Sequence, residues 1–211
     1  MDLAPAAPAF DLGGGAPCLD LANTVSGRGR GAPVDRLAGY PDLIAWGVQG
    51  GLVDGETAAG LGRAAARRPA AAAAALGRAR ALREALFRLF AAAAAGRRPA
   101  PGDLAALNRA LTAALPRLRL EDGGGAPYRW RWQGDGAAEP ALDRVLWPVA
   151  RSAAELLTSG DLAAVRECAA PDCRWLFLDR SRNRSRRWCA MATCGNRSKA
   201  RRHYRRGRAG G

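Results

Sequence analysis

Cys168, Cys173, Cys189 and Cys194 form two pairs, with four residues inside each pair and fifteen between the pairs. Thiolates at that spacing can wrap a single Zn²⁺ from two short loops, at Zn–S distances of about 2.3 Å. A site with four sulfur ligands has no open position for water or substrate, so its chemistry is structural. Two disulfides, or four unrelated core thiols, are the competing readings. Disulfides do not persist in a reducing cytosol, and the opening residues MDLAPAAPAFD carry neither the basic leader nor the apolar core of a signal peptide. The apolar runs, such as Ala70 to Leu76, fall far short of the roughly 20 residues that span a bilayer. A cytoplasmic chain with no membrane partner is therefore expected. The fifth cysteine, Cys18, lies in an apolar stretch and is expected to be buried and inert.

The charge of the chain is concentrated around those cysteines. Residues 174 to 208 hold twelve Arg and one Lys against Asp179, whereas residues 1 to 173 hold 20 basic and 18 acidic residues. Nearly all of the net +14 thus belongs to one short module. Arginine's planar fork matches phosphate oxygens and the guanine edge, so the expected partner is a polyanion.

The elements that must position this module are those of an α+β chain, helix-rich in its first part. Division is expected into a mixed α/β domain over residues 1–158 and a small finger over residues 159–211. Apolar periodicity predicts helices over Leu19–Val25, Pro41–Val48, Gly55–Arg67, Pro69–Ala95, Asp103–Leu115 and Glu139–Thr158. In the longest of these, Arg80, Glu84 and Arg88 form a polar strip expected to face solvent. Phe10 to Leu12 reads as a short strand. Leu118 and Leu120, then Tyr128, Trp130 and Trp132, alternate with arginines around a Gly-rich turn, predicting a hairpin with a buried aromatic face.

Within the finger, a first cysteine loop is followed by the apolar run Trp175 to Leu178, a polar turn, a return over Arg186 to Trp188, a second cysteine loop and a basic helix. That order matches a treble clef, in which a hairpin precedes a helix whose first turn supplies the last ligand. Thr193 is the expected helix cap, and Gly195 the position that lets the backbone approach the metal. A unit this small cannot bury enough apolar surface to fold alone, so loss of any one thiolate is expected to unfold it.

The string Cys194-Gly195-Asn196-Arg197, with Arg187-Trp188-Cys189 before it and the Phe-Leu-Asp-Arg-Ser-Arg-Asn stretch from Phe177 to Asn183 upstream, resembles the CGNR zinc-finger family of bacterial proteins. Cys18 to Val25 and Ala81 to Arg88 resemble motifs of the ABATE domain that precedes this finger in the family. The resemblance covers nearly the whole chain, and it implies a mixed α/β domain, one structural zinc and a role in stress-related transcription regulation.

Double-stranded DNA is accordingly the expected partner, with Arg186, Arg187, Asn196, Arg197, Lys199, Arg201, Arg202 and Arg205 as candidate contacts. Asn196 and Arg197 have an equal alternative, bracing the second cysteine loop. Asp20, Asn23 and Arg83 are candidate pocket residues for an unknown small-molecule effector, although the first two also suit helix-end hydrogen bonding. Assembly into an oligomer is left open. RNA binding or protein interaction is the rival reading, with Trp175, Trp188 and Tyr204 as stacking candidates. An enzyme is not expected: His203 is the one histidine, and no nucleophile elbow, P-loop or dinucleotide fingerprint occurs.

Overall fold

The computed structural model describes residues 10–125, 127–134 and 140–201. Its centre is α4 (Pro69–Ala94), which starts at a proline in its first turn, where a missing N–H costs nothing. Leu76, Ala79, Leu82, Leu86, Leu89 and Phe90 recur at three- and four-residue spacing and are all buried. Around it pack α1 (Pro17–Ala22), α2 (Tyr40–Gln49), α3 (Gly55–Arg67) and α5 (Pro101–Ala114), and α6 (Leu146–Thr158) packs against α1 and α5. Asp54 caps α3 by accepting the Thr57 N–H at 2.8 Å.

Among the described residues, three antiparallel two-stranded ladders accompany the helices. The first joins β1 (Val25–Ser26) to β2 (Val34–Asp35), and the second joins β3 (Leu118–Glu121) to β4 (Arg129–Trp132). The third joins β5 (Val165–Glu167) to β6 (Leu176–Leu178), with Val165 opposite Leu178.

Several expectations are revised. The helix predicted over Leu19–Val25 starts at Pro17 and stops at Ala22, and Val25 is in a strand. Phe10 is buried outside any strand and is tied through its backbone to the Gln49 side chain. The last helix begins at Leu146, with a turn over 142–145; Glu139 lies outside the described residues.

The Arg80, Glu84 and Arg88 strip does not simply face solvent. Arg80 donates to the Leu37 carbonyl at 2.6 Å, Glu84 accepts two bonds from Arg28, and Arg88 pairs with Asp103 at 2.6 Å. It is the strip on which neighbouring loops and the first turn of α5 dock. The hairpin has the expected facing, with Leu118 opposite Trp132 and Leu120 opposite Trp130. Only its Trp132 end, which packs against Trp147, is buried, and Leu120 and Trp130 are 57% and 53% exposed.

Candidate functional site

The first cysteine pair sits in the turn of the β5–β6 hairpin. Cys168 follows β5 and Cys173 precedes β6, and the Cys168 N–H donates to the Trp175 carbonyl at 2.7 Å, closing the knuckle. The strand partner of the apolar run is thus β5 upstream, not the expected return over residues 186–188, which contributes one bond from the Ala169 N–H to the Arg187 carbonyl. The second pair brackets a wide helical turn, Met191–Gly195, that continues as α-helix over 196–201. Thr193 is exposed inside this turn and does not cap it; the N-cap position is Ala190. A Cβ on Gly195 would strike the side chains of Met191 and Trp188, so the glycine makes room for the residues covering the site.

The four sulfurs lie within 4.8 Å of one another, with Cys173–Cys189 and Cys189–Cys194 both at 3.6 Å. A tetrahedron with Zn–S bonds of about 2.3 Å has edges of about 3.8 Å, so the cluster fits one zinc ion. Hydrogen bonds from neighbouring thiols hold Cys168 well down as thiolate, and that thiolate pushes the Cys173 and Cys189 thiols up. A divalent cation resolves this conflict by letting all four ionise. Outer contacts complete the site: the Cys189 N–H donates to Cys168 Sγ at 3.4 Å, and Arg197 Nη2 donates to Cys194 Sγ at 3.3 Å. Phe177, Trp175 and Trp188 pack against the sulfurs. Cys18 is fully buried elsewhere, and burial pushes its thiol up to about 12.

Beside the cysteines, two carboxylates organise the arginines. Asp179 is 1% exposed and accepts from the Ser181 hydroxyl at 2.5 Å, the Ser181 N–H at 3.0 Å and the Arg186 N–H at 2.9 Å. The Ser181 hydroxyl is the largest influence holding this carboxyl below its usual range. These bonds close a loop from which Arg180, Arg182, Arg184 and Arg187 project, all exposed. Asp172, in the first knuckle, faces Arg197 and Arg201 at 3.4 Å and Arg30 at 3.9 Å.

Of the candidate contacts, Arg186, Arg187, Asn196, Lys199 and Arg201 are exposed and Arg197 is half-buried, with Arg187 over the Trp188 ring at 5.4 Å. Arg186 lies over Phe177 at 4.3 Å and donates to the carbonyls of Trp188 and Cys189. Asn196 donates to the Ala192 carbonyl at 3.3 Å, and Arg197 braces Cys194 and Asp172. Arg201 reaches Asp172. Arg202, Arg205, His203 and Tyr204 lie outside the described residues.

The three candidate pocket residues have internal partners. Asp20 accepts the Gly14 N–H at 2.8 Å, and burial pushes its carboxyl up to about 6. Asn23 bonds both backbone groups of Leu176. Arg83 clamps Asp35 through two bonds, at 2.6 and 2.9 Å, and reaches Glu84 at 3.0 Å. The roles of Asp179 and Asp172 escaped the sequence reading; the one signal was that Asp179 is the single acidic residue of the arginine-rich stretch and Asp172 lies just before it.

A helical body carrying a finger closed by four thiolates is the class of protein that this fold and site define. The profile of the ABATE family, described as "Putative stress-induced transcription regulator", matches residues 15–160, and that of the CGNR zinc finger matches residues 164–207. The chain belongs to the ABATE family and carries a CGNR zinc finger that holds one structural Zn²⁺ through Cys168, Cys173, Cys189 and Cys194. No curated protein matches it. Among the described residues, no helix is long and apolar enough to cross a membrane.

Proposed function

We propose that this protein is an intracellular transcription regulator whose zinc-braced finger, residues 159–211, grips duplex DNA while the body, residues 1–158, responds to a small effector. The observation that carries the reading is the loop closed by Asp179, which holds Arg180, Arg182, Arg184 and Arg187 outward beside the metal site. Arginines on a fixed loop can contact successive phosphates without the entropy cost of ordering a free tail. Arg186 and Arg197 take the bracing role in this scheme, and Lys199 adds a backbone contact. The family description supports the regulatory setting.

Zinc supplies no reaction here. Its thiolates hold the second loop, Arg197 tethers that loop to the first knuckle through Asp172, and the arginine loop is anchored between them. Duplex DNA is preferred over unpaired RNA because Trp175 and Trp188, the candidates for base stacking, pack on the sulfur cluster.

Fluorescence anisotropy with a labelled duplex, at 50 and 200 mM salt, tests the proposal. If about six phosphates are neutralised, affinity falls roughly a thousandfold across that range. The R182A/R184A double variant should lower the slope of log affinity against log salt by about two. Salt-independent binding, or equal binding after zinc removal, would reject it.

A further inference from the structure

A cavity of about 280 Å³ is walled by α4, α5 and the first residues of α6. Its lining is chiefly apolar, with Leu82, Ala106, Ala110 and Leu146 among the wall residues. Small-molecule sites have that character, at volumes of about 300 Å³ and above, with a few polar groups fixing orientation.

Charge makes this cavity a site instead of a packing gap. Arg78 and Arg109 line it with one carboxylate, Asp143, and neither arginine forms an ion pair among the described residues. Trp147, 3% exposed, supplies an aromatic wall whose ring is flanked by the guanidinium groups of Arg117 at 4.8 Å and Arg144 at 5.4 Å. The lining carries a surplus of one positive charge.

We infer that this cavity binds a small amphipathic monocarboxylate, its apolar body against the alanine, leucine and Trp147 walls and its carboxylate held by Arg78 and Arg109. This rests on the effector role proposed above only for its regulatory consequence, and it locates that effector away from Asp20, Asn23 and Arg83.

Isothermal titration calorimetry of the zinc-loaded full chain, with 3-phenylpropionate and octanoate as probes, tests it. Saturable binding of at least one acid is expected, with the matching alcohol, 3-phenylpropanol or octanol, at least tenfold weaker. Ala110→Trp fills the cavity and should abolish binding. Should that variant unfold, the R78Q/R109Q variant, altered at two exposed positions, should weaken the acid tenfold and leave the alcohol unchanged. The Trp147 indole resonance, assigned by its loss in W147F, should shift on binding, because its ring lines the cavity. No saturable binding of either acid, or binding unaffected by R78Q/R109Q, would overturn the inference. Duplex affinity measured with and without the acid reads the coupling separately: binding without a change in DNA affinity supports the site and removes its regulatory role.

Discussion

The side-chain amide of Asn23 bonds both backbone groups of Leu176, donating to its carbonyl at 2.8 Å and accepting its N–H at 3.0 Å. An asparagine thereby serves as a one-residue strand partner across 153 positions, joining α1 to the strand that follows the first zinc knuckle. Leu176 and Leu178 belong to the same apolar core as α4, so the finger hairpin is seated in the body and does not hang from it.

Replacing Asn23 by alanine should cost about 2–4 kcal/mol, because both polar groups of a buried strand residue lose their partners. Asn23→Asp keeps an acceptor for the Leu176 N–H and loses the donor only while ionised; its O–H restores the donor when protonated, so the variant should be less damaging at low pH. Urea denaturation of the two variants at pH 5 and pH 7.5 measures this; equal stability of N23A and the parent would remove the bracket.

Cys194→Ser should abolish stoichiometric zinc, whereas Cys18→Ser should retain one ion per chain, since Cys18 is distant from the cluster and buried. The seating of β6 makes a finer prediction than collapse of the whole finger. Without zinc, amides at 186–201 should exchange rapidly while those of Leu176–Leu178 remain protected by Asn23 and the main core. Hydrogen exchange with mass spectrometry reads both segments.

Asp20 makes stability depend on pH. Burial raises its carboxyl from 3.8 to about 6, so the folded state binds the proton more tightly than the unfolded chain. Its contribution is complete below about pH 4 and is lost as pH rises through about 6. The shift sets a ceiling of about 3 kcal/mol. Asp20→Asn, which still accepts the Gly14 N–H, should flatten the stability profile between pH 4 and 6.5; an unchanged slope in thermal melts would contradict this.

Asp172 opposes the arginines it organises. Asp172→Asn should cost less than about 1 kcal/mol, because its partners are partly exposed and weakly held. It should also tighten duplex binding severalfold at 50 mM salt by releasing Arg30, Arg197 and Arg201. Weaker DNA binding in this variant would show that positioning outweighs charge.

The metal site was legible in the sequence because thiolate chemistry leaves few alternatives for four cysteines at that spacing. The helices α3 and α4 were legible for a similar reason: caps, prolines and apolar spacing act within a few residues of one another. Tertiary structure alone decided which strand pairs with the apolar run after Cys173, because pairing depends on what each face can bury, and Val165 opposite Leu178 completes the body's core. It alone turned Arg80 and Glu84 into docking points for residues some forty to sixty positions away. The surplus charge was plain in composition, but its division into bracing and outward-facing arginines depends on where Asp172 and Asp179 fall in space. Local chemistry is written in residue types and short spacings, whereas partners across the chain exist only once the core has brought them together.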